Sequence, residues 1–267
     1  MAHTTVQWGV KMSDVPKKHV DDLTREDIAG IVDDTYLLRP ESYPKADVDP
    51  ATQHLTTIHR FLGHVAKRDV MPYMICVRPE EARRVAAFFM DNPDAPGIAA
   101  VAGFPDPEWY VASMTMREID TAQQGGADEI DFVLPWRNLT ERHPYAQEYV
   151  TQVAAHIRDI GLTSKLILES GALSVDDLHT AIKIAQYAGV DMIKTSTGFG
   201  PGGAERGSLT LMARYGAVKI SGGVNEGNYR ELLTALADHD QMIQVDPTKV
   251  RIGVGYKPGK GSLLDNI

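Results

Sequence analysis

The sequence predicts an α/β protein folded as a single (β/α)8 TIM barrel over residues 1–267, with an extra N-terminal helix and a short C-terminal end. Three observations carry this. Short strand-like runs recur along the chain, amphipathic stretches separate them, and no composition break or long linker divides them. Parallel strands joined by crossover helices are buried on both faces, so they read as continuous apolar runs. Repeated about eight times, that unit closes most economically into a barrel. A doubly wound open sheet is the alternative arrangement.

The first strand-like run, GIVDDTYL, is the least regular. It overlaps the stretch LTREDIAGIV, where Thr24 followed by Asp27 marks the start of a helix that closes the bottom of the barrel. PYMICV, GIAAVAGF, DEIDFVL, KLILES, DMIKTS, GAVKIS and VRIGVG supply the second to eighth strands. Between them lie PEEARRVAAFF, EWYVASMTMREIDTAQQGGA, YAQEYVTQVAAHIRDIG and SVDDLHTAIKIAQYAG, whose apolar residues recur at three and four and which often end in glycine. After Gly255 only YKPGKGSLLDNI remains, too little for a full-length eighth helix.

Composition restricts the function classes. With 43% hydrophobic and 24% charged residues the chain reads as an ordinary soluble globular protein. It has no apolar window of about 18 residues that suggests a membrane span. Residues 1–18 lack the long apolar core of a signal peptide, and the lone Cys76 rules out an internal disulfide, so a cytoplasmic location is expected. A formal charge of -9 argues against nonspecific nucleic-acid binding while leaving room for a small basic pocket.

The chemistry begins at DMIKTSTGFG, where Lys194 ends an apolar strand. A strongly hydrated side chain in that place either snorkels outward or is kept for reaction. Asp131, Glu169 and Lys219 occupy comparable places on the fourth, fifth and seventh predicted strands. Any one of them alone reads as a solvated rim residue. Four on consecutive barrel strands are expected to converge on one cavity at the C-terminal face.

A lysine attacks a carbonyl only as the free amine, and the reference pKa of about 10.4 leaves little of that form at neutral pH. Burial and a neighbouring cation both disfavour the ammonium, and Lys219 on the adjacent strand supplies the cation. The resulting imine is an electron sink for breaking a neighbouring C–C bond, with Asp131 as the acid/base. TGFGPGG, SGGVN and RIGVG fit a phosphate site built from backbone N–H groups, including those of Gly253 and Gly255. The alternative is that these glycines serve only tight turns.

With these residues in place, the chain resembles the class I deoxyribose-phosphate aldolase family over most of its length. IVDDTYLLRP, GIAAVAGFP, GADEIDFVLP, KLILESGAL, DMIKTSTGFGPGGA and VKISGGV carry the resemblance. It implies a Schiff-base aldolase that reversibly cleaves 2-deoxy-D-ribose 5-phosphate to acetaldehyde and glyceraldehyde 3-phosphate. In that reading Lys194 is the Schiff-base lysine, Lys219 perturbs it, and Asp131 shuttles protons through water. Thr195 is a substrate hydroxyl contact, Gly198, Gly222 and Gly223 are phosphate contacts, and Cys76 is either a substrate-lining thiol or plain core. Two features depart from the family pattern. Gly255 and Tyr256 stand where a pair of serines usually holds the phosphate, and Asn225 replaces a basic residue. Both changes weaken phosphate recognition, because charge-assisted hydrogen bonds are the strong ones.

A Schiff-base lysine calls for no cofactor and no metal. His54, His59 and His64 are spaced by five, which turns each about 140° from the last on a helix and leaves them no common ligand face. The loop TGFGPGG lacks dinucleotide spacing. Small aldehydes and sugar phosphates are therefore the expected partners, with no nucleic acid and no membrane, and a homodimer or higher homo-oligomer is left open. Two other readings stay open: a related C–C lyase on a larger or unphosphorylated hydroxycarbonyl compound, and a metabolite-binding barrel without catalysis.

Overall fold

The structure is a computed structural model that describes residues 15–43, 48–108 and 110–267. Residues 1–14 of the stretch read for a leader, and Trp109 of the segment between the third and fourth predicted strands, lie outside the described residues. The strands in chain order are β1 (Lys17–His19), β2 (Val32–Thr35), β3 (Met74–Val77), β4 (Gly97–Ala102), β5 (Glu129–Val133), β6 (Thr163–Ile167), β7 (Met192–Lys194), β8 (Val218–Ser221), β9 (Met242–Gln244) and β10 (Val250–Gly255).

Strands β2 to β8 pair in sequence, and β10 pairs in parallel with both β8 and β2. That second pairing closes the barrel and excludes an open sheet. All eight expected runs are barrel strands. The short antiparallel pair of β1 with β9 lies outside the barrel and carries no periodic signature that would announce it.

Helices fill the crossovers: α1 (Arg25–Ala29), α2 (Pro50–Val65), α3 (Ala82–Phe88), α4 (Ala112–Gln124), α5 (Trp136–Thr140), α6 (Tyr145–Asp159), α7 (Val175–Ala188), α8 (Arg206–Met212) and α9 (Tyr229–Thr234). The expected N-terminal helix is α1, and its start is a full capping box. Thr24 accepts from the Asp27 backbone while the Asp27 carboxylate accepts from the Thr24 backbone. Helix α7 is bounded in the same local way, by the Ser174 cap at one end and by left-handed Gly189 at the other. In place of an eighth helix the chain ends in a single 3-10 turn, Leu263–Asp265.

Alternation along each strand splits the apolar residues into two layers. Outward residues such as Ile75, Ile130, Phe132, Ile193 and Ile220 pack against the helices. Inward residues Met74, Cys76, Ala99, Val101, Val133 and Ile167 form a second, smaller core inside the barrel with Leu37 and Phe104. This inner core fills the side lined by β3 and β4. The opposite side is left to charged side chains.

The C-terminal segment is tied down from two directions. Arg68 donates to Asp34 Oδ2 at 2.6 Å, to Asp265 Oδ1 at 2.8 Å and to Ser262 Oγ at 3.0 Å, so strand β2 and the last turn share one guanidinium. The Tyr256 ring lies 5.0 Å from Phe61 of α2, and Phe61 in turn stacks on Tyr36 at 5.7 Å. Among the described residues no helix is long and apolar enough to cross a membrane.

Phe61 is fully buried and packs between Tyr36 and Tyr256, so its truncation opens a cavity between them. Phe61→Ala is expected to cost about 3–5 kcal/mol in urea unfolding. A loss under about 1 kcal/mol would show that α2 does not depend on this contact.

Candidate active site

Six strands on one side of the barrel aim charged side chains at its axis. They are Asp33 from β2, Glu129 and Asp131 from β5, Lys165 from β6, Lys194 from β7, Lys219 from β8 and Arg251 from β10. Strand register sets them level with one another. Asp131 is opposite Lys165, Lys194 is opposite Lys219, and Lys219 is opposite Arg251. None is more than 7% exposed, so each must find its counterion inside the barrel.

Asp131 is the hub. Lys194 Nζ donates to its Oδ2 at 2.8 Å, and Lys219 Nζ donates to the same oxygen at 2.6 Å. Lys165 Nζ donates to Oδ1 at 2.8 Å and pairs with Glu129 Oε2 at 2.5 Å. Lys219 also donates to Asp33 Oδ2. Arg251 closes the network, with Nε 2.7 Å from Asp33 Oδ1 and Nη2 3.0 Å from Glu129 Oε2.

The titration behaviour follows from these contacts. Burial pushes the Asp131 carboxyl upward, but Lys165, Lys194 and Lys219 outweigh it and hold the group well below the usual carboxylate range. Asp33 is likewise raised by burial and then carried down to about 2 by Arg251, Lys219 and Lys165. Burial works against the ammonium of Lys219, yet Asp131 and Asp33 overcome it and raise its pKa. Lys165 is raised in the same way by Asp131 and Glu129. Lys219 is therefore a fixed cation beside Lys194.

A cavity of about 270 Å³ opens at the C-terminal end of the strands, with Lys194 on its wall. Gly198, Gly222, Gly223, Asn225, Gly253, Gly255 and Tyr256 line the same space, so seven of the residues expected to contact substrate gather around the lysine. Asp131 and Lys219 stand behind it.

Three expected residues do other work. Glu169, expected to share a cavity with the lysines, turns away from them. It lies beyond the end of β6 in a left-handed conformation, φ 55°. Its carboxylate accepts from the Thr197 hydroxyl at 2.6 Å and the Thr197 N–H at 3.2 Å. It thus clamps the turn at 197–200, where a Cβ on Gly200 would meet the Glu169 carboxyl carbon at 2.7 Å. Thr195, expected to contact substrate, donates its hydroxyl proton to Ser221 O at 2.6 Å and accepts from Ser221 N–H at 2.8 Å. Its proton and one of its two lone pairs are spent on stapling the strand ends together. Cys76 is fully buried in the inner core, away from the cavity wall, and burial pushes its thiol up, so it is core rather than substrate-lining.

Asp33, Glu129, Lys165 and Arg251 are the participants that reading the sequence alone passes over. Glu129 and Asp131 share a strand face because they are two apart. Lys165 and Arg251, however, look like the ordinary polar start of an apolar run. Only the register shows that they point inward.

Solved structures share this architecture. A putative deoxyribose-phosphate aldolase from Toxoplasma gondii ME49 superposes with a TM-score of 0.71 at 18% identity, covering 86% of this chain and 89% of that one. The tetrameric deoxyribose phosphate aldolase from Aeropyrum pernix superposes with a TM-score of 0.62 at 21% identity, covering 88% and 89%. The fold is thus that of the barrel aldolases. No family model matches the chain. In sequence it is 30% identical over 243 residues to deoxyribose-phosphate aldolase 2 of Staphylococcus aureus strain N315, covering 89% of this chain and 98% of that protein. It is also 37% identical over 129 residues to the deoxyribose-phosphate aldolase of Haloquadratum walsbyi, a match that spans 57% of that relative. The chain belongs to the deoxyribose-phosphate aldolase family.

The depressed pKa of Asp33 gives the cluster a pH signature. Its ion pairs stabilise the fold in full above the unfolded carboxylate value of about 4. That contribution is lost as the pH falls through about 2. Arg251→Leu leaves Asp33 and Glu129 without their guanidinium, so it is expected to cost about 3–5 kcal/mol and to move acid unfolding to higher pH. Urea titrations between pH 2 and pH 7 measure both; an unchanged acid limb would show that Arg251 does not hold Asp33 ionised.

Proposed function

We propose that the protein is a class I aldolase whose Schiff-base lysine is Lys194, cleaving 2-deoxy-D-ribose 5-phosphate reversibly to acetaldehyde and glyceraldehyde 3-phosphate. One observation carries the assignment. Lys194 is the amine of the cluster that reaches the cavity, and among the described residues its one carboxylate contact is an oxygen it shares with Lys219.

Charge counting supports the choice of lysine. Three carboxylates, Asp33, Glu129 and Asp131, face four cations, Lys165, Lys194, Lys219 and Arg251. Loss of one proton balances the cluster. Lys165, Lys219 and Arg251 each bridge at least two carboxylates, whereas Lys194 touches one. Lys194 is thus the cation of the four with the fewest carboxylate contacts, and it is the one on the cavity wall.

On this reading the reaction runs in four steps. The free amine of Lys194 adds to the C1 aldehyde of the open-chain sugar, and loss of water leaves an iminium. A base removes the C3 hydroxyl proton, and the C2–C3 bond breaks. Its electron pair moves to the iminium, giving an enamine on Lys194 and releasing glyceraldehyde 3-phosphate. Protonation of the enamine at C2 and hydrolysis release acetaldehyde. Asp131, held as the anion, relays these protons through water. When Lys194 gives up its ammonium, Asp131 Oδ2 regains acceptor capacity beside the Lys194 nitrogen.

The cavity suits a small acyclic sugar. Although Tyr256 brings bulk where the family usually carries serine, its ring packs back on Phe61 and lies 5.9 Å from His64, which keeps it on the wall. A barrel without catalysis would leave three buried lysines and their partners without a purpose that offsets their desolvation.

Borohydride added with acetaldehyde or deoxyribose 5-phosphate is expected to leave a reduced adduct on the peptide holding Lys194, and Lys194→Ala is expected to abolish it. An adduct that survives this substitution would refute the assignment. Asp131→Asn is expected to lower kcat by about 10²–10⁴ with a smaller change in KM. A fall of less than about threefold would remove Asp131 from the proton relay.

A further inference from the structure

The chain carries a formal charge of -9, yet among the described residues the wall of the Lys194 cavity contains two cations and no carboxylate. One cation is Lys194 itself, 2% exposed at the floor. The other is Lys257, exposed at the rim. A wall of one sign in a protein of the other is an electrostatic statement about the ligand.

Lys257 is not a loose surface lysine. It opens a tight hairpin in which its backbone N–H donates to Gly261 O and Gly261 N–H donates back to Lys257 O, both at 2.9 Å. Gly259 and Gly261 hold the turn with φ of +80° and +73°. On one side the preceding residue is fixed by the hydrogen bond from Tyr256 N–H to Thr35 O at 2.8 Å and by the packing of its ring on Phe61. On the other side Ser262 and Asp265 are held by Arg68. The backbone of Lys257 is thereby set beside Gly255 at the cavity mouth. Among the described residues its ammonium has no carboxylate partner.

Asn225 does not compete for the charged role. Its amide donates to Gly223 O at 3.0 Å and its carbonyl oxygen accepts from Gly227 N–H at 2.9 Å. The side chain is spent on shaping the turn that carries Gly222 and Gly223.

We propose that Lys257 is the specificity-determining cation of this site, pairing with a terminal phosphate monoester of the substrate while the Gly222–Gly223 turn offers backbone N–H groups. The charge that the loop at 225 lacks, and the contacts that residues 255 and 256 lack, are supplied from the C-terminal hairpin. This rests on the aldolase reading only for the chemistry at Lys194. The phosphate contact stands on the cavity wall alone.

Steady-state kinetics of the full chain on 2-deoxyribose 5-phosphate and on 2-deoxyribose test it. Lys257→Met is expected to raise KM for the phosphorylated sugar by roughly tenfold or more with little change in kcat, and to raise it far less for the free sugar. Lys257→Arg is expected to recover most of the loss. Lys260→Met, in the same hairpin but off the cavity wall, controls for disturbance of the turn and is expected to match the wild type. An unchanged KM ratio between the two sugars in Lys257→Met overturns the proposal, as does an equal effect from Lys260→Met. Calorimetric titration with inorganic phosphate separates this proposal from the aldolase assignment. Should the wild type form no borohydride adduct, the aldolase reading fails. Weaker phosphate binding by Lys257→Met then still supports the rim cation, and equal binding overturns it.

Discussion

One carboxylate, Asp131, accepts hydrogen bonds from three lysines inside a closed barrel. Isolated, any of these charges would cost several kcal/mol to bury, so each is retained only because the others are within reach. That requirement reaches far beyond the side chains involved. The partners come from six strands, and a slip of one residue in any of them would turn its charge toward the helices. Barrel closure and charge pairing are therefore the same constraint seen at two scales.

The constraint also divides the interior. The wall made by β3 and β4 is packed with Met74, Cys76, Ala99 and Val101, and these contribute no polar atom beyond a buried thiol. The remaining strands hold the charges. At the upper boundary of the charged half Lys194 shares one carboxylate oxygen with Lys219 and lines the cavity. Lys165 and Arg251, deeper and better paired, hold the carboxylates in place. Glu169 and Thr195 serve the site at one remove, by fixing the turn after β7 and the join between β7 and β8.

Much of this was legible in the chain itself. Recurring apolar runs marked the barrel strands, because strands buried on both faces are mostly apolar; β2, VDDT, is the least regular because two aspartates fill it. The Thr24 capping box and the short C-terminal end were equally local. Lys194, Lys219 and Asp131 stood out because each interrupts or ends an apolar run. Lys165 and Arg251 did not, since a charge near the start of a strand is common and its direction depends on register, which is a property of pairs of strands. Glu169 misled for a related reason: its left-handed backbone redirects a side chain that an extended strand would have sent to the cavity. Lys257 lies just past the last strand in a short polar stretch, where nothing in the local pattern marks one lysine as facing the barrel mouth.

The central claim is that Asp131 and the lysines form one interdependent unit. A double-mutant cycle on unfolding free energy, with Asp131→Asn, Lys219→Met and the pair combined, measures that dependence. The account predicts a coupling of more than about 1 kcal/mol, with the double variant less damaged than the sum of the single ones, because each substitution alone strands a buried charge. Additivity within about 0.5 kcal/mol would contradict it and reduce the cluster to independent residues that happen to lie side by side.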